Sequence, residues 1–274
     1  MKIAIVGLGL IGGSLAKTIK KNTNHEVIGL DINREVLVFS KSVGAIDEIG
    51  DTSSLAKADV TIICLYPDKV VPFVLENRTK FKPDSIVTDT AGIKSHICWT
   101  LEDEDLDFTF IGGHPMAGRE VSGFENSLDD MFNNASYIFT PLNAAGDQVE
   151  TLKRLAMEMK FGSTVITTPE RHDEIIAYTS QIAHVLACAY VLSPRSREHA
   201  GFSAGSFMDV SRVAKINEEL WTQLFIDNKE TLCEEIDTLL GNLQEIKDCI
   251  ENGRADKLKA ILKKGREIKE ELDR

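Results

Sequence analysis

The chain has 274 residues, of which 43% are hydrophobic and 27% charged, with a formal net charge of −12 and a pI near 5.0. This is the composition of a globular protein of one or two domains with enough chain for a core of its own, and its acidity excludes nucleic acid or an anionic membrane as the main partner. Cys64, Cys98, Cys188, Cys233 and Cys249 are scattered with neither CxxC nor metal-ligand spacing, so no metal is expected and the thiols read as reduced and cytoplasmic. The opening MKIAIVGLG runs straight into a strand pattern, without the apolar region and cleavage site of a signal peptide.

Strand-like apolar runs occupy Lys2–Val6, Glu26–Leu30, Val60–Leu65, Ser85–Thr88, Thr109–Ile111, Tyr137–Thr140 and Ser163–Thr167, and helical patterns fill 11–21, 34–42, 69–79, 93–101 and 146–160. Val- and Ile-rich strands alternating with helices predict βαβ units and a parallel sheet covered on both faces. After Pro169 the strand signal stops. Glu170–Leu192 reads as one long helix ended by Pro194; Thr179, Ser180, Gln181 and His184 within its uncharged run make it a buried helix rather than a membrane span. A shorter helix with irregular ends is expected within 198–215. Trp221, Phe225, Asn228, Leu232, Ile236, Leu239, Leu243, Ile246 and Ile250 then follow one another at steps of four or three, a heptad-like seam along one long helix that needs a partner. Gly253 breaks it, and Leu258, Ile261, Leu262, Ile268 and Leu272 stripe a last amphipathic helix.

KIAIVGLGLIGG sets Gly7, Gly9 and Gly12 as GxGxxG between a strand and a helix, the context that makes this motif specific. Its residues Gly7, Leu8, Gly9, Leu10, Ile11 and Gly12 would cradle a pyrophosphate on the helix N-terminus. Asp31, ending the second strand, would accept from ribose hydroxyls and repel a 2′-phosphate, favouring NAD over NADP, while Arg34 leaves NADP open. Leu65, Tyr66 and Pro67 of CLYP should border the nicotinamide half, although Pro67 is equally explained as a first helical residue. The expected fold is α/β: a Rossmann-like parallel-sheet domain over 1–168, followed by an all-α domain over 169–274 that carries a homodimer.

Two more strand ends carry unusual residues. TDTAGIK (88–94) follows one, with Asp89 at the cofactor, and FIGGHPMAGRE (110–120) follows the next; both are expected as loops over the nicotinamide. His114 there can be neutral at pH 7 and accept the proton of an alcohol losing hydride, or can be structural. Ser180 and His184 share a helix face as pocket residues or a satisfied core pair. Arg212, among Val210, Val213 and Ile216, needs an anion: a substrate carboxylate, or a salt bridge to Asp209 or Glu120.

With GLGLIGGS (7–14), TDTAGIK (88–94), GGHPMAG (112–118), HDEIIAYTSQIAH (172–184) and DVSRVAKINEELW (209–221), nearly the whole chain resembles the prephenate and arogenate dehydrogenase family. The resemblance implies an NAD(P)-dependent oxidative decarboxylation of a cyclohexadienol, prephenate or arogenate, on the way to tyrosine. It implies that His114 hydrogen-bonds the ring 4-hydroxyl, that Arg212 binds substrate, and that His184 and Ser180 line the pocket. It implies too that Glu120 pairs with Arg212 at the mouth and that Trp221 reaches in from a dimer partner. Arg119 could take the side-chain carboxylate that both substrates share. The chain departs from the family where many members have D-x-G-S-x-K: Gly92 stands at the serine position, and Met208 replaces an arginine. A dinucleotide sensor without turnover is the rival reading that the missing serine raises.

Overall fold

The computed structural model describes residues 1–142 and 144–273. The first part alternates β1 (Lys2–Val6), α1 (Leu10–Asn22), β2 (Glu26–Leu30), α2 (Arg34–Ser42), β3 (Glu48–Ile49), β4 (Val60–Ile63), α3 (Pro67–Glu76), β5 (Ile86–Asp89), α4 (Ser95–Glu102), β6 (Thr109–Pro115), β7 (Ser136–Pro141), α5 (Gly146–Glu158) and β8 (Ser163–Ile166). The strands form one sheet in the order β3-β2-β1-β4-β5-β6-β7-β8. Ile3, Ala4, Ile5 and Val6 are all buried, whichever face they point to, as expected for strands covered by helices on both sides. The chain leaves β1 toward one edge and returns to build the other from β4, so a crevice opens at the carboxyl ends of β1 and β4.

The sheet is not parallel throughout. β7 runs antiparallel to β6, pairing Gly112 with Thr140, Gly113 with Phe139, His114 with Ile138 and Pro115 with Tyr137. This corrects two expectations. The far edge of the sheet is reversed, and FIGGHP is strand through Pro115 rather than a strand that ends at Ile111 and gives way to a loop. Pairing with β5 stops at Ile111, after which β7 alone carries β6 onward past its neighbour's end. The paired glycines are set by packing. A Cβ on Gly113 would stand 2.5 Å from the Asp89 carbonyl, and one on Gly112 would strike the Thr140 hydroxyl and lie 2.8 Å from Cys98 Sγ.

Beyond β8 the described residues are helical or irregular. Thr168 caps Arg171 N at 3.2 Å and Pro169 opens α6 (Pro169–Ile176). The expected single helix is interrupted: a π turn over Ala177–Gln181 separates α6 from α7 (Ile182–Val191). α8 (Gly205–Ser211) runs into a 3₁₀ turn, Arg212–Ala214, and α9 (Glu218–Asp227) follows. The heptad seam is likewise two helices, because the chain leaves α9 at Asn228 before α10 (Lys229–Glu251) begins. Asn228 is buried, its Nδ2 donating to the Asp173 carbonyl at 3.0 Å and to Gln181 Oε1 at 2.8 Å. Those bonds fix the backbone where a continuous helix would have turned the side chain elsewhere.

Met1–Asn228 forms one compact unit and Lys229–Arg274 a second. The change of composition after residue 168 marks the end of strands, whereas the boundary between compact units falls after Asn228. In the second unit a turn at Gly253 (φ +63) joins α10 to α11 (Ala255–Leu272), and Lys257 meets Glu245 at 2.8 Å. Leu243 and Ile250 of the seam, with Leu262, Ile268 and Leu272, stay exposed in the single chain. Among the described residues no helix is long and apolar enough to cross a membrane.

Gly113→Ala is expected to destabilise the protein by about 1–3 kcal/mol through overpacking against backbone. Gly118→Ala, where a Cβ meets nothing within 4 Å, should stay within about 0.5 kcal/mol of the parent; denaturant midpoints at constant m-value make the comparison.

Candidate active site

The glycines of the first βα turn have different reasons to be glycine. Gly7 has φ +88 and a Cβ there would sit 2.6 Å from the Cys64 carbonyl; one at Gly12 would strike the Gly7 carbonyl. At Gly9 a Cβ would meet nothing within 4 Å, so the space above it is left open to a ligand. α1 starts at Leu10 with no side-chain cap, leaving the amides of Leu10, Ile11 and Gly12 and the positive end of the helix facing that space. Asp31 Oδ2 accepts from Leu8 N at 2.7 Å and Oδ1 from Asn33 N at 2.8 Å. The carboxylate thus ties the glycine loop to the end of β2, and each oxygen keeps a lone pair for a further donor. Beside it Ile32 is fully exposed, and a cleft of about 570 Å³ runs past Arg34, Ser53 and Lys57. An uncapped helix, an open glycine and a carboxylate with spare lone pairs suit the pyrophosphate and ribose of a dinucleotide. Leu65 and Tyr66 follow β4, and Pro67 is the first residue of α3.

Asp89 is not available to a cofactor. It is wholly buried, pairs through Oδ2 with Lys94 Nζ, and accepts from Ala91 N and Gly113 N at 2.9 Å each. Its role corrects the expected cofactor contact: the carboxylate ties the end of β5 to the neighbouring β6, and Lys94, itself 1% exposed, neutralises it. Such a pair costs desolvation on both ions, and removing one partner alone is what destabilises.

His114 lies one residue past Gly113. Its Nδ1 is 2.8 Å from His172 Nε2, and His172 Nδ1 is 2.7 Å from Asp173 Oδ1. Asp173 also accepts from Lys94 N and Ser95 N at 2.8 Å each, so it caps the start of α4 from another helix. Burial, reinforced by His172 and the Lys94 charge, pushes His114 well below its ordinary value of 6.5. His172 is lowered by burial and Lys94, against the opposing pull of Asp173. Burial would raise the Asp173 carboxyl, but its bonds to His172 and Ser95 outweigh that and lower it. At neutral pH, therefore, two neutral imidazoles stand in line with one carboxylate.

The helical segment carries further expected site residues. His184 donates through Nδ1 to the Val213 carbonyl at 2.8 Å, leaving Nε2 free, and its ring lies 3.7 Å from the Trp221 ring, centroid to centroid. Trp221 is thus in contact with His184 of its own chain. Burial, with Arg212 nearby, lowers His184 despite the Val213 bond and the Glu120 charge. Arg212 Nη1 reaches Glu120 Oε1 at 3.1 Å, the pairing expected at a mouth. Its side chain is 67% exposed in the single chain, although the sequence places it among Val210, Val213 and Ile216. Arg119 donates to the Asn126 carbonyl at 3.3 Å on an exposed loop. Ser180, half-buried, sits in the π turn.

His172, Asp173 and Lys94 are the residues that sequence reasoning passed over. The signal was present: a lysine and a His-Asp pair recur inside motifs whose other members are small or apolar, and such polar residues are rarely buried without partners.

A glycine loop feeding an uncapped helix at the switch point of an α/β sheet, with a neutral histidine at the same carboxyl edge, is the architecture of a dinucleotide-dependent oxidoreductase. The chain belongs to the prephenate dehydrogenase family: the family's nucleotide-binding domain matches residues 15–166 and its dimerization domain residues 168–264. The prephenate dehydrogenase of Bacillus subtilis (strain 168) is 30% identical, over 98% of this chain and 76% of the relative. Prephenate dehydrogenase from A. aeolicus, solved in complex with hydroxyphenyl propionate and NAD+, superposes with a TM-score of 0.88 at 26% identity, covering 99% of this chain and 98% of the other. Synechocystis arogenate dehydrogenase gives 0.86 at 26% identity, covering 99% and 100%.

Because His114, His172 and His184 are all depressed below 6.5, unfolding takes up protons wherever pH lies below that value. Stability is expected to be full above about pH 6.5 and to fall as pH drops toward the folded-state values, before the carboxylates titrate. Calorimetric melting between pH 8 and 5 tests this, and His172→Gln should flatten the fall.

Proposed function

We propose that the protein is a homodimeric, NAD-dependent dehydrogenase that oxidatively decarboxylates prephenate to 4-hydroxyphenylpyruvate. The observation that carries this is His114, neutral, bonded through Nδ1 and without a hydrogen-bond partner on Nε2 beside Gly92, on the carboxyl edge shared with the glycine loop. The likeness to an enzyme solved with NAD+ and hydroxyphenyl propionate supports the cofactor and the ring. The match of residues 168–264 to a dimerization domain, with the exposed seam of α10, supports a homodimer. We take 1–168 as the dinucleotide-binding domain and 169–274 as the helical substrate and dimerisation domain.

The cofactor supplies the hydride acceptor. Gly7, Leu8, Gly9, Leu10, Ile11 and Gly12 would hold its pyrophosphate, Asp31 its ribose, and Leu65, Tyr66 and Pro67 would border its reactive end. His114 Nε2 takes the hydrogen bond of the 4-hydroxyl and stabilises the positive charge that grows on it as hydride leaves C4. It returns the proton to the phenol oxygen as the ring carboxylate departs as CO₂. Aromatisation drives the reaction, so the site need only align and polarise. Arg212 would exchange Glu120 for a substrate carboxylate, with Arg119 near the same loop, and His184, Ser180 and Trp221 would enclose the ring. A second reading, arogenate as substrate, is favoured by the comparable likeness to the Synechocystis enzyme; the two substrates differ in an amino or keto side chain.

NADH formation with prephenate or arogenate, each with NAD or NADP, is expected to be fastest with prephenate and NAD; no turnover with either substrate would sink the proposal. His114→Ala should lower kcat by roughly 10²–10⁴-fold. Arg212→Ala should raise KM by about 10–100-fold while leaving stability nearly unchanged, since an exposed pair contributes little. A Cβ on Gly92 would lie 3.5 Å from Leu224 and 3.8 Å from His114 Nε2, ordinary contacts. Gly92→Ser should therefore fold and raise kcat, and a lower kcat would show that the family serine's task is done otherwise here.

A further inference from the structure

We infer that His172 and Asp173 are positioning residues that hold His114 in the tautomer with Nδ1 protonated and Nε2 free. The inference rests on the reading of His114 as the group that meets the substrate hydroxyl.

The direction of every hydrogen bond in the line can be worked out from one end. Asp173 is surrounded by donors: Lys94 N on Oδ1 and Ser95 N on Oδ2, both at 2.8 Å. An ionised carboxylate only accepts, so His172 Nδ1, 2.7 Å from Oδ1, must carry a proton. A neutral imidazole has one such proton, which leaves His172 Nε2 a bare acceptor. That nitrogen stands 2.8 Å from His114 Nδ1, which therefore donates. His114 Nε2 is left bare on the side of Gly92, whose missing side chain leaves room for an incoming hydroxyl. The second ring nitrogen thus decides what the first can do.

The alternative is a His172 imidazolium donating from both nitrogens, which would place the His114 proton on Nε2 and block it. The charged and titratable groups facing His172 are Asp173 on its own helix, His114 from β6, and Lys94 with Asp89 from the end of β5 and the start of α4. Lys94 and burial disfavour the imidazolium more than Asp173 favours it. As His114 gains positive character during turnover, its Nδ1–H bond to His172 strengthens and leans on a histidine already anchored by a carboxylate. No proton need leave the line, because the one taken at Nε2 returns to the product hydroxyl.

The tautomer can be read in the wild-type protein without any substitution, from the ring-nitrogen chemical shifts of imidazole-¹⁵N-labelled enzyme at pH 7.5. His114 is expected to show a protonated Nδ1 and a bare Nε2; a protonated Nε2 would overturn the inference. In kinetics, His172→Ala should lower kcat by about 10–100-fold, part of the full contribution of a positioned acid–base group, with KM within a few-fold of wild type. His172→Gln, whose amide oxygen can still accept from His114 Nδ1, should recover most of that loss and outperform the alanine variant. Equal impairment of both folded variants, or a loss confined to KM, would mean that His172 is merely structural. If His114→Ala kept near-normal kcat while the wild-type tautomer was as inferred, the fault would lie with the proposed function and not with the positioning line.

Discussion

Asp173 ties together three parts of this molecule. It caps the first turn of α4 through Lys94 N and Ser95 N, bonds the ring of His172 and so reaches His114, while its own carbonyl receives the Asn228 side chain. Helix starts are usually satisfied by a residue one position upstream; α4 has no such cap and borrows one from α6. Sheet, α4 and the helical segment are therefore tied through one buried anion. An uncompensated charge there would be far costlier than any exposed pair in the molecule.

Around that anchor the site is built from two walls of different character. The wall at the sheet is rigid: β6 pairs with β5 as far as Ile111 and with β7 from Ile111 to Pro115, with glycines where neighbouring groups leave no room for a side chain. The helical wall is more open. It offers a stacked His184–Trp221 pair and an exposed Arg212 that Glu120 only partly occupies. The groups expected to meet the reacting atoms thus sit on the stiff side, and those expected to recognise a carboxylate sit where water can enter. Such a division suits a reaction in which alignment matters more than covalent chemistry.

Much of this was legible in the residues. Alternating strands and helices, the GxGxxG turn with Asp31 and His114 at a strand end each follow from local pattern or spacing, whereas the Glu120–Arg212 pair was one of two salt bridges left open and was singled out only by the family resemblance. What was not legible depends on contacts distant in sequence. Hydrophobic periodicity marks Tyr137–Thr140 as strand but carries no direction, so the reversal at β7 was invisible, and with it the extension of β6 through His114. Asp89 looked like a ligand because it ends a strand at the right edge; only the buried Lys94 five positions on reveals a buried, neutralised ion. Asn228 fitted a heptad seam, and its burial beneath Asp173 and Gln181 made it a stop instead.

The π turn at Ala177–Gln181 has its own consequence. An α-helix advances about 100° per residue, so one widened turn uncouples the angular setting of the residues before it from those after it. His172 and Asp173 face the sheet from one side of the turn, and His184 faces Trp221 from the other. An unbroken helix would have to compromise between the two orientations. The widened turn acts as a phase adjuster, letting one continuous segment present two independently aimed surfaces, as π turns at functional sites often do. Deleting a single residue there would leave a smoother helix and two misdirected histidines.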